Sequence, residues 1–474
     1  MKGNTLCQNR RIKKLLEENK NTLNSFINNF SKAVIKEEAS LFVGTGVSMN
    51  SSLPSWNELL LPCFSELNIS PNDSLSLYKV AQYYANKMGR SSLSKIVEQQ
   101  VNQDYSGNDV LENLLKLNFR SIWTTNYDHL IEDELRRQKR NPNVIISEEK
   151  LPLSEKSEST CVYKINGDFI STETMILTQD EYEHYNDTHA LFLTFLKKEL
   201  VSHTFLFDGY SFEDQIILDC LSSTKQLLSG NGNLHYALIY IDDTVTDAMR
   251  YKAQDLRERY NIESVFVDEK NQVDVIKKLI SAVNKNKVFI SGAYYNVSAD
   301  EEQFADILSK TLAIRLLEDG KRISTGVGRK LGTYITGYAH QYLAEKSIRN
   351  THRYLSMRPF PFHLDLTDED KVVYRKLMQH DCSHAIFLFG QSEHEKDSMH
   401  SSRGVYQEFC IAQELGLRVI PVGSTGYEAK IIWDEVKGKI NEFYYLSKKI
   451  SVLGHETNPQ KLTEIILSII NQDK

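Results

Sequence analysis

Apolar and polar positions along the chain follow two patterns. Short apolar runs that end at a glycine or a polar residue are typical of buried strands, and longer stretches with apolar residues three or four positions apart are typical of helices. In the first half, the short runs predict strands at 41–43, 119–125, 162–165, 204–207, 236–240 and 264–267. The longer stretches predict helices at 8–37, 57–117 with interruptions, 128–139 and 190–201. Strands that alternate with helices predict a parallel, doubly wound sheet.

The polar clusters of this half fall where the predicted strands end. They follow Val43, Trp123, Ile165 and Phe207. In a doubly wound sheet, ligands bind beyond the carboxyl ends of the strands. We therefore expect these clusters to meet around one ligand.

The alternation stops at the polar stretch 284–287, which we interpret as a linker, and then starts again. The second half has predicted strands at 288–290, 322–324, 386–389 and 419–422, and predicted helices at 300–319 and 403–414. No sequence repeat relates the two halves. The predicted fold class is α/β, with two doubly wound parallel-sheet (Rossmann-like) domains in tandem. Their expected ranges are 1–283, which includes an N-terminal helix, and 284–474.

Composition and charge narrow the functional classes. The 474 residues carry a formal net charge of −7, which argues against a dedicated nucleic-acid surface. The polar N-terminal segment does not resemble a signal peptide, and no apolar run approaches the roughly 20 residues of a membrane span. We therefore expect a cytoplasmic protein with neither nucleic-acid nor membrane partners.

The six cysteines are scattered along the chain, without a Cys-x-x-Cys pair. This spacing excludes a zinc ribbon of the usual kind and provides no disulfide framework. We expect reduced thiols, mostly in the cores, and no bound metal.

A glycine-rich turn follows the first predicted strand. Gly44 and Gly46 leave the backbone accessible, and Ser48 lies where a hydroxyl can bind a phosphate oxygen or cap a helix. A strand, a glycine turn and a helix together are typical of a cradle for a nucleotide phosphate. The same spacing also occurs in ordinary tight turns, so the turn alone leaves both interpretations open.

Four successive segments resemble the motifs of sirtuin-like NAD-binding domains, and most closely those of sirtuin-type effectors of bacterial antiphage defence. The segments are Gly44-Thr45-Gly46-Val47-Ser48, Thr124-Thr125-Asn126-Tyr127-Asp128, Lys164-Ile165-Asn166-Gly167-Asp168 and Gly209-Tyr210-Ser211-Phe212. The resemblance covers about residues 25–283. It implies that NAD is the substrate and that the nicotinamide–ribose bond is cleaved through a transition state resembling an oxocarbenium ion.

The resemblance also implies roles for single residues. Asn126 would hold a ribose hydroxyl or a water near the reacting ribose carbon, and Asp128 would fix Asn126 or bind a hydroxyl. The implied NAD-binding residues are Gly44, Thr45, Gly46, Ser48, Thr125, Asp128, Gly167, Gly209 and Ser211. Taken singly, Asn126 and Ser211 could instead be helix caps, and Asp168 could be a turn residue.

Asn166 occupies the position at which the family carries a catalytic histidine. Histidine can accept a proton near neutral pH, whereas an asparagine amide can only donate or accept hydrogen bonds. The loss of a general base typically lowers the rate about 10²–10⁴-fold. We therefore predict that this chain binds NAD but hydrolyses it poorly, either as an inactivated variant or as a natural branch. His129 is a possible substitute base, although a histidine on a helix surface is more often simply solvated.

The second half resembles the SLOG-type nucleotide-sensing domain of the Thoeris antiphage effector. The resemblance implies an activator site formed by Ser291, Gly292, Gly326, Gly328, Arg358, Lys376 and Glu408. Arginine and lysine suit phosphates, and a glutamate can accept hydrogen bonds from ribose hydroxyls. Alternatively, Arg358 could form a surface salt bridge and Glu408 could be a solvated helix carboxylate. The chain lacks the catalytic motif of related phosphoribohydrolases, so we interpret this domain as a sensor.

Taken together, the two resemblances extend to the whole Thoeris effector and cover nearly all of the chain. They imply a partner enzyme with a Toll/interleukin-1-receptor fold that makes a cyclic ADP-ribose isomer, and a homotetramer or larger assembly. They imply allosteric activation, in which the isomer binds the sensor and the sirtuin-like domain then destroys NAD. Two other functions remain open: a non-catalytic nucleotide-binding module, which Asn166 favours, and a protein deacylase, which the missing zinc cysteines disfavour.

Overall fold

The computed structural model describes residues 2–71, 75–154, 159–241, 247–295, 297–361, 364–391 and 402–472, with side chains from residue 15 onward. The chain divides into two compact units, Met1–Ile280 and Ser281–Lys474. The division falls inside a helix that runs to Asn284, and the next strand begins at Lys287. The stretch 284–287 interpreted as a linker therefore consists of the last residue of this helix, a two-residue turn and the first residue of the strand.

The first unit contains a seven-stranded parallel sheet. Its strands are β1 (Ala39–Val43), β2 (Ser121–Thr124), β3 (Asn143–Ile145), β4 (Cys161–Lys164), β5 (Thr204–Asp208), β6 (His235–Ile241) and β7 (Ile262–Asp268). The spatial order is β3-β4-β2-β1-β5-β6-β7, and every neighbouring pair is parallel. All six strands predicted for this half are present. The pattern did not reveal β3, which has three residues and lies at the sheet edge.

Fifteen α-helices surround this sheet in the part of the unit that the structure describes. They are α1 (Lys2–Ile35), α2 (Thr45–Met49), α3 (Trp56–Leu59), α4 (Leu61–Leu67), α5 (Leu77–Met88), α6 (Arg90–Val101), α7 (Asp109–Leu115), α8 (Leu130–Arg137), α9 (Leu151–Ser154), α10 (Gln179–Glu183), α11 (Tyr185–Thr188), α12 (Ala190–Ser202), α13 (Gln215–Leu227), α14 (Asp247–Tyr260) and α15 (Gln272–Asn284). Helices α3 to α7 form a helical insert between β1 and β2. Its apolar core extends to Tyr127 and Phe169, which belong to the loops after β2 and β4.

The strand order places a topological switch point between β1 and β5. From β1 the chain continues to β2 on one side, whereas from β5 it continues to β6 on the other. Val43 and Asp208 are register partners at the carboxyl ends of these strands. Ligands of doubly wound sheets bind in the crevice at such a point. The strand order therefore puts the switch point of the first unit beyond Val43, at the strand ends that the polar clusters follow.

The second unit contains a five-stranded parallel sheet. Its strands are β8 (Lys287–Ala293), β9 (Arg322–Thr325), β10 (Leu355–Met357), β11 (His384–Phe389) and β12 (Arg418–Pro421), in the order β10-β9-β8-β11-β12. Its helices are α16 (Ala299–Glu318), α17 (Leu331–Glu345), α18 (Asp368–Gln379), α19 (Arg403–Glu414), α20 (Tyr427–Gly438), α21 (Ile450–His455) and α22 (Pro459–Ile470). The fold class predicted from the sequence, two tandem Rossmann-like units, is confirmed. The three-residue edge strand β10 was not predicted.

The lengths and side chains of the helices bear on a membrane location. None of the helices within the described residues is long and apolar enough to cross a membrane.

Candidate functional site

A cavity of about 500 Å³ opens beyond the carboxyl ends of β1, β2 and β4. It brings together seven of the residues that the sequence assigned to the NAD site: Thr45, Ser48, Thr125, Asn126, Asp128, Asn166 and Ser211. Asn126 and Asn166 follow β2 and β4, which are neighbours in the sheet, so the strand order accounts for their proximity.

The helical insert and the residues just before it supply the opposite wall of the cavity, which sequence reasoning missed. That wall is largely apolar and aromatic, with Leu53, Pro54, Trp56, Leu59, Leu77, Tyr78 and Val101. Ring centroids of Trp56 lie 5.9 Å from those of both Tyr78 and Tyr127. Apolar residues at helical spacing look the same whether they line a core or a ligand cavity, so the pattern alone held no signal for this wall.

Asn126 is held by hydrogen bonds through its side-chain nitrogen. Nδ2 donates to the carbonyl of Gly44 at 3.1 Å and to Oγ of Ser48 at 2.8 Å. Oδ1 is buried and accepts no hydrogen bond from the residues that the structure describes. A buried acceptor without a partner is costly unless a water or ligand supplies the donor. The amide is thus oriented with its oxygen left for such a donor.

The alternative that Asn126 caps a helix is wrong. Helix α8 begins only at Leu130, and the side chain that accepts from the backbone nitrogen of Leu130 is Asp128, at 3.1 Å. The alternative that Ser211 is a cap is also wrong, because Asp214 caps α13 by accepting from the nitrogen of Ile216 at 3.0 Å.

Ser48 connects Asn126 to Asp128. Its hydroxyl accepts from Asn126 and donates to Oδ2 of Asp128 at 2.7 Å, and the side chain is buried. A hydroxyl has one hydrogen to donate. In this structure Ser48 therefore orients the other two side chains, whereas the sequence interpretation made it a phosphate ligand.

The glycines of the motifs are required by packing. A Cβ on Gly44 would lie 2.3 Å from the carbonyl oxygen of Gly209, and one on Gly46 would lie 2.9 Å from the same oxygen. Gly167 has φ +88°, and a Cβ there would lie 2.1 Å from the carbonyl oxygen of Thr174. None of these four glycines lines the cavity. Close approach of the turns after β1 and β5 accounts for three of them without a ligand.

Asp168 lies behind Asn166 in a charged cluster. It accepts from Nζ of Lys164 at 2.6 Å, faces Nε2 of His129 at 2.8 Å and accepts from the backbone nitrogen of Ile170 at 2.9 Å. Burial alone would raise the pKa of Asp168, but His129 and Lys164 outweigh it, and the pKa is held well below its usual range. Asp168 thus forms the turn and also balances charge.

His129 is paired with this carboxylate and does not line the cavity. The structure therefore gives it a partner other than the substrate, against the idea that it replaces the missing base. His129, Glu132 and Asp168 have atoms within 4.8 Å of one another, a spacing that could hold a metal ion. The ammonium of Lys164, at 2.6 Å from Asp168 and 3.2 Å from Glu132, supplies positive charge at that place.

In the second unit, Ser291 and Glu408 come together at the carboxyl end of β8. Oγ of Ser291 donates to Oε2 of Glu408 at 2.6 Å. Burial raises the pKa of Glu408, whose side chain is only 14% exposed. The alternative that Glu408 is a solvated helix carboxylate is therefore wrong.

Arg375, a residue that sequence reasoning passed over, faces this pair. Its Nε lies 3.8 Å from Oε1 of Glu408, and its guanidinium lies 4.5 Å from the ring centre of Phe360. Nε and Nη1 are buried and have no hydrogen-bond partner among the residues described. The helical spacing could have identified Arg375, because it lies on the buried face of α18 together with Met378 and Gln379.

The two cations that the sequence did select lie elsewhere. Lys376 is half-buried, with a side chain that is 40% exposed, and pairs with Glu414 at 2.6 Å. Arg358 is exposed and donates to the carbonyl of Leu377 at 2.7 Å, and among the described residues it does not form the alternative salt bridge. Gly292 and Gly328 pack together, since a Cβ on Gly328 would lie 2.2 Å from the carbonyl oxygen of Gly292. A Cβ on Gly326 would lie 2.7 Å from Sδ of Met378.

Comparison with known proteins bears on the whole chain. The model of a SIR2-like domain matches residues 120–265, and that of the Sir2- and TIR-associating SLOG family matches residues 273–473. The "NAD(+) hydrolase ThsA" of Cytobacillus dafuensis is 31% identical, over 88% of this chain and 89% of its own length. The chain belongs to the ThsA family. ThsA proteins of Enterococcus faecium (30% identical, 94% of this chain and 98% of theirs) and Bacillus cereus (29% identical, 94% and 96%) are similar over nearly the full length.

Membership of the ThsA family confirms the resemblance to a Thoeris effector on which the sequence interpretation relied. The SIR2-like match includes Asn126, Asn166 and Ser211 but begins after the turn of Gly44 to Ser48. In this ThsA-family chain, that turn is connected to the matched part by the hydrogen bonds of Asn126 to Gly44 and Ser48. The SLOG match spans all the residues assigned to the activator site.

Proposed function

We propose that this chain is an antiphage effector of the NAD hydrolase type, whose first unit cleaves the nicotinamide–ribose bond of NAD. The observation that carries this proposal is the oriented amide of Asn126, which lines the cavity together with Asn166 and whose buried Oδ1 has no hydrogen-bond partner among the described residues. The ThsA relatives are named NAD(+) hydrolases, which supports the same reaction. The cavity volume of about 500 Å³ lies within the range of small-molecule sites.

The residues of the cavity suggest how the reaction is assisted. As the glycosidic bond breaks, positive charge develops on the ribose, and a water must attack its carbon. Oδ1 of Asn126 accepts from that water or from a ribose hydroxyl, while Ser48 and Asp128 keep the amide from rotating. The aromatic wall would limit the access of bulk water to the reacting centre.

Asn166 stands at the position of the family's histidine and cannot accept a proton. We propose that it allows NAD to bind but leaves the attacking water without a base, so that hydrolysis is slower by about 10²–10⁴-fold. The chain as it stands would then hold intact NAD.

The second unit would sense the signal. Arg375 offers buried donors to a phosphate, and Ser291 with Glu408 offers partners for ribose hydroxyls. These groups suit a cyclic ADP-ribose isomer made by a partner of the Toll/interleukin-1-receptor fold. Activation requires that the isomer bind one conformational state more tightly than the other.

We also propose that the chain assembles into tetramers or larger oligomers in the cytoplasm. Analytical ultracentrifugation with and without the isomer would test the assembly.

The deciding experiment measures NAD consumption by the chain and by Asn166→His, each with and without a panel of cyclic ADP-ribose isomers. We expect rapid consumption only by Asn166→His with one isomer. Asn126→Ala in the Asn166→His background is the matched control and should remain inactive with the same isomer. Equal activity of the parent chain and Asn166→His would show that another group acts as the base.

Asn166 itself favours a second function, a nucleotide-binding module that assembles on the signal without catalysis. Calorimetric titration with NAD distinguishes the two. If both the parent chain and Asn166→His bind NAD but neither consumes it with any isomer, the binding module is the better description.

A further inference from the structure

Lys164 is a fully buried lysine at the end of β4. Its side chain is 0% exposed, and its Cα pairs with that of Thr124 at the end of β2. The next residues along each strand lead into the two loops that carry Asn126 and Asn166. Lys164 therefore lies beneath both loops of the proposed NAD site.

The ammonium group uses all its donors on these loops. A lysine ammonium has three N–H donors. Nζ lies 3.0 Å from the carbonyl oxygen of Tyr127, 2.6 Å from that of Asp128 and 2.6 Å from Oδ2 of Asp168. The first two acceptors follow Asn126 by one and two residues, and the third follows Asn166 by two. One charged group is thus bonded to both loops.

Burial of such a charge is unfavourable unless it is fully paired. Here Asp168 and Glu132 flank the ammonium at 2.6 Å and 3.2 Å, and His129 contacts Asp168 in turn. An apolar side chain of similar length would fill the same volume without any desolvation penalty, and such replacements of buried ion pairs are often neutral or stabilising. Packing alone therefore does not account for a lysine at this place, whereas connection of the two loops does.

We propose that Lys164 is a positioning residue, which sets the distance between Asn126 and position 166 by bonding to both of their loops. The proposal rests on the proposed function, because it gives the two loops a shared task. Lys164 does not touch the substrate in this scheme. It acts through the carbonyl groups of Tyr127 and Asp128 and through the carboxylate of Asp168.

The test uses Lys164→Met, which keeps the side-chain length but removes charge and donors. The matched control is Lys287→Met, because Lys287 is also buried but lies in the second unit, where it donates to the carbonyl of His380. Lys164→Gln is the second variant, in case Lys164→Met does not fold. The first readout is hydrogen–deuterium exchange of the full-length chain over residues 126–130 and 166–170.

We expect Lys164→Met to exchange faster than the parent in both segments, and Lys287→Met to match the parent there. The second readout is the single-turnover rate of NAD hydrolysis in the Asn166→His background, with enzyme in excess and an activating cyclic ADP-ribose isomer present. Under these conditions an unfolded fraction of enzyme does not change the rate at which bound NAD is hydrolysed. A loss of stability alone therefore leaves the single-turnover rate unaltered. We expect a fall of about 10²-fold, as for a small misplacement of reacting groups.

Unchanged exchange in both segments, or faster exchange in only one, would overturn the role of Lys164 in joining the loops. A single-turnover rate within about threefold of Asn166→His would overturn its effect on catalysis. If Asn166→His itself consumes no NAD, the proposed function fails, and the exchange experiment still decides whether Lys164 holds the two loops.

Discussion

The hydroxyl of Ser48 accepts a hydrogen bond from the side-chain nitrogen of Asn126 at 2.8 Å and donates one to Oδ2 of Asp128 at 2.7 Å. The hydrogen bonds run from Asn126 to Ser48 to Asp128, and the side-chain donors of Asn126 and Ser48 are all used. Among the described residues, Oδ1 of Asn126 accepts no hydrogen bond. This chain of hydrogen bonds, more than any single residue, defines the orientation of the proposed catalytic amide.

Ser48→Ala should lower kcat and leave KM nearly unchanged. Without the Ser48 hydroxyl, one donor of Asn126 and one acceptor site of Asp128 lose their partner, which costs about 1–1.5 kcal/mol, or roughly tenfold in rate. Steady-state kinetics in the Asn166→His background measure both constants. Ser51→Ala is the control, since the hydroxyl of Ser51 accepts from the amide of Asn108 and, among the described residues, is bonded to neither Asn126 nor Asp128. A rise in KM with constant kcat would instead identify Ser48 as a phosphate ligand.

Gly44→Ala should destabilise the first unit even in the absence of NAD. The new Cβ would lie 2.3 Å from the carbonyl oxygen of Gly209, so the turns after β1 and β5 must separate. Overpacking of this kind costs about 1–3 kcal/mol of the free energy of unfolding. Denaturant unfolding measures the loss. Gly107→Ala is the control, because nothing lies within 4 Å of a Cβ at Gly107; equal stability of the two variants would contradict the packing account.

Because of Asp208, the free energy of unfolding of the first unit should decrease as pH rises through about 6. Burial raises the pKa of its carboxyl to about 6, although a hydrogen bond from Tyr240 opposes the rise. Between roughly pH 4 and 6, the folded chain keeps a proton that the unfolded chain releases. The contribution of Asp208 to the free energy of unfolding is therefore largest below this window, declines across it as pH rises, and is lost above it.

Asp208→Asn mimics the protonated carboxyl and tests this prediction. Its stability relative to the parent should increase between pH 5 and pH 8, as measured by denaturant midpoints at several pH values. Asp168→Asn provides the contrast. The pKa of Asp168 is lowered in the folded chain, so the stability that this residue contributes is present at neutral pH and lost as pH falls. A pH-independent difference between the parent and Asp208→Asn would refute the prediction.

Arg375→Ala should weaken binding of the activating cyclic ADP-ribose isomer about 10–100-fold, because a charge-assisted hydrogen bond to a phosphate contributes roughly 1.5–3 kcal/mol. Calorimetric titration of the full-length chain measures the change. Lys376→Ala, one residue away, should bind within about threefold of the parent, since Lys376 pairs with Glu414 on the surface. If Lys376→Ala weakened binding and Arg375→Ala did not, Lys376, which the sequence selected, would bind the activator and Arg375 would not.

Much of the architecture was predictable from local pattern. Buried parallel strands are short apolar runs, and the helices between them keep an apolar face, so both sheets and nearly all their strands could be located. The strands that escaped, β3 and β10, have three residues each and lie at sheet edges, where too few positions exist to form a pattern. The boundaries of α8 differed from expectation by two residues at each end, whereas α12 began at the expected residue and ended one residue later.

The sequence by itself determined the two α/β units, the strand ends at which polar motifs cluster, and the asparagine at position 166, because these follow from residue types and short spacings. The tertiary structure decided which groups meet. Asn126 could cap a helix or bind Ser48, and only the order of β1 beside β2 brings residues 78 positions apart into contact. Likewise, the phase of α18 turns Arg375 inward and Lys376 outward. Such choices depend on strand order and helix rotation, which long-range packing sets and local periodicity does not.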